Sequence, residues 1–275
     1  MKGNIGVDIF FFLSSIGLCY SYTKNSILSF YPRRIKRIFP LYLLFLIITI
    51  LLFHPCGHET IKPMLMQSTG LAILSSFQYY CIEWYIPTLI LLYLLFPLLF
   101  LFFRIIHVKQ GLYLEVLIIL ILCYCTPTLE LKILDRCVER IPIICIGIIS
   151  YFYLQNNEIK RLAFFYLMCC IMTFIVNRSM LNFSLIIPIV LYEFDKQNIR
   201  IPLNKYFNYI GRYTLEIYLA QVITTKYFIR HHLFENVWLT FLISIFLTIF
   251  IAIIFHLFQK YSLLILSFCK IPVRK

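Results

Sequence analysis

Apolar blocks of 13 to 23 residues recur along almost the whole chain, separated by short charged punctuation. That pattern predicts a polytopic helical membrane protein, because a spanning helix needs roughly 20 mostly apolar residues and fewer when flanking side chains snorkel. The blocks place spans at 5–22, 38–54, 85–103, 112–126, 141–155, 162–176, 180–192, 208–226 and 237–259. The stretch NRSMLNFS (177–184) is a polar break between two of the shortest blocks. Residues 55–84 form the one long connection, with a short interfacial helix expected near 65–77. The fold class is therefore all-α, a membrane bundle of about nine helices in a single domain over 1–275.

Composition supports the pattern. The 275 residues are 61% hydrophobic and 18% aromatic, against about 45–50% apolar in soluble domains. One soluble core could not hide that excess. The opening residues combine Lys2 with an apolar run, as signal peptides do, but Asp8 interrupts the run and Leu18 precedes Cys19. A retained membrane segment is the better reading.

Charge adds orientation. The net charge of +13 comes from basic residues in short loops rather than on one amphipathic face, which argues against nucleic acid as a partner. Alternate connections give one side Lys24, Arg33, Arg34, Lys36, Arg37, Arg104, Lys109, Lys160, Arg161, Lys196, Arg200, Lys205, Lys260, Lys270, Arg274 and Lys275, sixteen in all. The other side holds eight: Lys2, Lys62, Lys132, Arg136, Arg140, Arg178, Lys226 and Arg230. The positive-inside rule then predicts a cytoplasmic C-terminus. Nine spans put the N-terminus outside; a tenth, preceding helix would put it inside.

The polar residues within the apolar runs are the candidates for chemistry. Asp8 stands in GVDIFFFLSS (6–15), where a lone carboxylate is costly and should have a partner. It is either a helix N-terminal aspartate favoured by the dipole or a carboxylate that orients a general base. In YPRRIKRIFPLY (31–42), Arg33, Arg34 and Arg37 share one helix face. They read either as a headgroup anchor or as a converging site for a phosphate. Trp84 and Tyr85 open the third span, where interfacial aromatics are common. Glu216 falls well inside the span over 208–226, with Arg212 four residues earlier as the expected ion-pair partner. The ten cysteines and six histidines show no metal spacing, so no metal is expected. Cys56 and Cys81 share the 55–84 connection, where a disulfide is one reading.

Taken together, these stretches resemble the membrane-bound acyltransferase family 3, which includes bacterial O-acetyltransferases of surface polysaccharides. The matching residues are Gly6, Val7, Asp8, Phe10, Phe11 and Ser14, then Arg33, Arg34, Arg37, Ile38, Pro40 and Tyr42. Trp84, Tyr85, Tyr93, Pro97, Arg140, Pro142, Gly147, Gly211, Tyr218 and Leu219 follow in family order. The resemblance implies about ten membrane helices and a bacterial inner-membrane location. It also implies transfer of an acyl group, acetyl from acetyl-CoA being the expected one, to a hydroxyl of a glycan or lipid-linked sugar. It assigns Asp8 to the catalytic pair, with a histidine on a preceding helix as its partner, and Arg33, Arg34 and Arg37 to the acyl-CoA side. Trp84, Tyr85 and Glu216 are then expected at the substrate. Met1 stands five residues before Gly6, so that preceding helix and its histidine are not in this sequence. The expectation is that Asp8 lacks its partner here and that the chain as written transfers little or nothing. Two rivals are a transporter or flippase of lipid-linked sugars and a decayed gene that keeps the fold without the activity.

Overall fold

The computed structural model describes residues 4–24, 27–53, 85–108, 111–125, 140–175, 213–231 and 237–268, with positions 138 and 211. Among them there are eight helices and no strand: α1 (Asn4–Thr23), α2 (Ile27–Phe53), α3 (Tyr85–Val108), α4 (Leu112–Cys125), α5 (Ile141–Gln155), α6 (Ile159–Ile175), α7 (Thr214–His231) and α8 (Val237–Phe268). The protein is an all-helical polytopic membrane bundle. Among the described residues three helices are long and apolar enough to cross a bilayer, over Gly6–Thr23, Tyr85–Val108 and Trp238–Leu263. α4 and α5 are apolar but shorter, at 14 and 15 residues. At 1.5 Å per residue they reach about 21–23 Å, short of a hydrocarbon core of roughly 30 Å. The expected span at 180–192, the interfacial helix near 65–77, and Cys56 with Cys81 lie outside the described residues.

The helices belong to two compact units. The first holds α1, the opening residues of α2 through Phe30, and α3 to α6. α5 is its centre, with every residue from Pro142 to Tyr153 buried. α1 crosses α5 closely at Gly147, where an added Cβ would stand 2.8 Å from the Phe12 carbonyl oxygen and from Ser15 Cβ. Only a residue without a side chain permits that approach. Ser15 and Ser150 return their hydroxyls to the Phe11 and Ile146 carbonyls four residues back, so neither leaves a bare polar group in the core. Ser150 Oγ also lies 2.7 Å from the Tyr166 hydroxyl on α6. Aromatic rings fill the space between α1, the start of α2 and α3: Tyr22 packs on Phe30, Phe96 and Phe100 at 5.0–5.8 Å between centroids.

Contacts fix the helix directions in this unit. Asp8, Tyr85 and Arg140, each near the start of its helix or just before it, gather at one end. At the other end Thr23 meets Tyr151 and His107 meets Tyr153. So α1, α3 and α5 run parallel. α4 runs the other way, since Glu115 near its start meets the end of α5.

The second unit holds the rest of α2 with α7 and α8. α7 and α8 are antiparallel: Tyr213 packs edge-on to His256 at 4.6 Å, and Thr224 Oγ1 lies 2.8 Å from Thr248 Oγ1. Along α8, large apolar side chains such as Trp238, Phe246 and Phe250 are more than 60% exposed, a surface suited to lipid.

Candidate functional site

Asp8 occupies the second turn of α1 and is 1% exposed. Arg140 immediately precedes α5, whose first turn carries Pro142. Its Nη1 stands 2.7 Å from Asp8 Oδ1, and its side chain is 8% exposed. This is a buried ion pair with a short N···O distance. The resemblance led to the expectation of a histidine partner on a preceding helix; among the described residues Asp8 pairs with a cation, Arg140. The physical reason is the α1–α5 crossing at Gly147, which draws residues 132 positions apart to the same depth. In the sequence Asp8 stood out as a carboxylate in an apolar run, but nothing there named Arg140 as its partner.

Tyr85 stands beside this pair. It is 2% exposed, with its ring 5.4 Å from both Phe10 and Phe11. It is a packed core residue at this end of the unit rather than a member of an exposed aromatic belt. Trp84 lies outside the described residues.

The arginines form a separate feature in the second unit. Arg33 and Arg37 are exposed and Arg34 is half-buried, on one face at the head of α2. The helix continues through Pro40. Below it Tyr42 and Phe45 are fully buried and stacked at 6.3 Å, which seats the apolar half. The arginines therefore lie at the polar end of an otherwise core-facing helix.

Glu216 is placed differently from expectation. α7 opens at Thr214, so Glu216 falls in its first turn rather than deep within a span. It is 5% exposed. A carboxylate there is favoured by the unpaired N–H groups and dipole of the helix start. Arg212, its expected partner, lies outside the described residues.

A further polar cluster escaped the sequence reading. Glu115, fully buried, accepts a hydrogen bond from the Tyr153 hydroxyl at 2.7 Å on one oxygen and meets His107 Nδ1 at 3.2 Å on the other. Asn156 Nδ2 lies 3.2 Å from His107 Nε2. The ring stacks on Phe152 and stands edge-on to Tyr153. A cavity of about 240 Å³ adjoins it, lined by His107, Tyr113, Tyr153, Glu158, Arg161 and Phe164 among others. Glu115 ties the ends of α3, α4 and α5 together at the end of the unit opposite Asp8. Its place in the first turn of an apolar run was the available signal.

Residues 3–257 match the family model described as an acyltransferase domain, of the acyltransferase 3 type. No curated protein and no solved structure matches the chain.

Proposed function

Since the chain belongs to the acyltransferase 3 family, we propose that it transfers an acetyl group from acetyl-CoA to a hydroxyl of a cell-surface glycan or lipid-linked sugar. The acceptor oxygen attacks the thioester carbonyl carbon as its proton passes to a base, the C–S bond breaks, and CoA leaves as the thiol once it regains a proton. The observation that carries this reading is the arginine face of α2 in a chain of an acyltransferase family. Arg33 and Arg37, exposed, and Arg34, half-buried, bring three planar guanidinium groups to one stretch near the start of a helix, a suitable match for the clustered phosphates of CoA. In this reading the bundle is a single functional domain in the bacterial cytoplasmic membrane. Its C-terminus and arginines face the cytoplasm, where acetyl-CoA is found.

Asp8 is assigned an orienting and electrostatic role rather than that of the base, because Arg140 already engages its carboxylate at 2.7 Å. Tyr85 and Glu216 are assigned to the acceptor on the resemblance alone, as is Trp84.

Binding and transfer test the reading separately. Each of Arg33→Ala, Arg34→Ala and Arg37→Ala should weaken acetyl-CoA binding to the detergent-purified chain by about 1.5–3 kcal/mol, the range for a hydrogen bond to a charged group. Unchanged affinity in all three would reduce the cluster to a headgroup anchor. Membranes containing the chain and labelled acetyl-CoA should place label in an alkali-labile ester of the glycolipid or polysaccharide fraction. Label that never enters such an ester, with sugar lipids moved across the membrane instead, would favour a transporter.

A further inference from the structure

We propose that Gln259 on α8 is the positioning residue for the arginine face of α2. The inference deepens the reading of Arg33, Arg34 and Arg37 as the acetyl-CoA site and rests on it.

Pro40 lies inside α2, one turn after Arg37. Proline brings no N–H for the carbonyl four residues earlier, that of Lys36, and its ring crowds the turn, so the helix tends to kink there. That turn is therefore held by one intrahelical bond fewer. Gln259 adds a hold from outside the helix at the neighbouring carbonyl: its Nε2 donates to the Arg37 carbonyl oxygen at 2.8 Å, across 222 positions of sequence. Gln259 is 8% exposed and shares the buried side of α8 with Ala252 and Phe255. An amide on that side would be costly without a partner, and the Arg37 carbonyl is the partner it has.

The placement of the bond gives it consequence. It lands on the backbone of the last of the three arginines, one turn beyond the other two. The anchor is itself braced, because His256, one turn earlier on the same helix, packs edge-on to Tyr213 at 4.6 Å and 79°. A segment hinged at a proline would otherwise rock, and the three arginines, all on the N-terminal side of Pro40, would hold the placement that receives the polyanion only part of the time. Apparent affinity falls in proportion to the fraction of molecules in the competent arrangement. Gln259 raises that fraction by holding the turn that carries Arg37, without touching the ligand.

Equilibrium binding of acetyl-CoA to the detergent-purified full chain tests this. Gln259→Met keeps length and volume but removes the donor, and should raise the dissociation constant about tenfold, as a fall of the competent fraction to about a tenth requires. Gln259→His retains a donor and should recover most of the loss. In a Pro40→Ala background the Lys36 carbonyl regains its intrahelical donor and the turn no longer hinges, so Gln259→Met should then cost less than about threefold. A purely structural role would lower the melting temperature equally in both backgrounds and leave affinity of the folded fraction unchanged. Wild-type affinity in Gln259→Met while Arg37→Ala binds weakly would overturn the proposal and spare the arginine site. Wild-type affinity in all three arginine variants would end the site reading and this inference with it. If Gln259→Met is not recovered folded, Gln259→Asn, one methylene short of the carbonyl, is measured instead, with the same tenfold rise expected and an unchanged constant overturning the proposal.

Discussion

Arg140 is the residue on which the buried charge of the first unit depends. Removing one member of a buried ion pair leaves the other desolvated and uncompensated, typically a loss of 3–5 kcal/mol. Arg140→Ala should therefore lower the melting temperature of the purified protein steeply or abolish its recovery. The double variant Asp8→Asn/Arg140→Gln keeps hydrogen-bonding groups of similar size and removes both charges, so it should be markedly more stable than Arg140→Ala. A double variant no more stable than the single one would mean that the pair does not account for the loss. Asp8 was legible as an anomaly from its apolar surroundings. Arg140 was legible as a basic residue opposite the RRIKR side and as one of the family-matching residues, but not as the partner of Asp8, because nothing in a sequence gives the depth at which two distant segments meet.

At the level of helices, the α1–α5 crossing sets the rest of the first unit. Gly147 admits the backbone of α1 so closely that a methyl group would meet the Phe12 carbonyl oxygen and Ser15 Cβ at 2.8 Å. Neither is the far end of a flexible side chain, so the helices must separate. Gly147→Ala should cost about 1–3 kcal/mol, as overpacking of a filled core does, and the loss should be visible as a lower thermal midpoint. Ala substituted with no loss would show that the crossing is looser than 2.8 Å implies. Helix existence was readable from apolar length at eight of the nine expected positions, and the ninth, 180–192, lies outside the described residues. Helix starts were less readable. Residues 208–213 precede the described start of α7 at Thr214, and that difference moves Glu216 from a span interior to a first turn. Apolar runs mark where a helix is stable but not which residue first adopts helical dihedrals.

For the whole molecule, the testable quantity is orientation in the bilayer. Parallel α1, α3 and α5 with α4 reversed is the order that successive crossings produce, and it agrees with the alternation behind the charge count. Sixteen basic residues against eight then place the C-terminus in the cytoplasm under the proposed reading. A Lys62→Cys variant in intact cells should react with a membrane-impermeant thiol reagent from outside, whereas a cysteine at position 275 should react only after permeabilisation, each scored against the same chain without the added cysteine. The reverse pattern would overturn the orientation while leaving the family membership untouched.

Composition and the spacing of apolar runs sufficed for the solvent and the fold class, because the bilayer demands long apolar helices; the family was legible as a resemblance, carried by motif residues that are local in sequence. The same locality made the arginine face of α2 readable, since three residues one turn apart on a helix must share a side. The tertiary structure alone decided which polar groups satisfy one another: Asp8 with Arg140, Glu115 with His107 and Tyr153, Gln259 with the Arg37 carbonyl. Of these, Asp8 advertised its need for a partner through its apolar surroundings. The partner itself depends on helix crossings, and those are set by shape, such as the missing side chain at Gly147, rather than by any pattern along the chain.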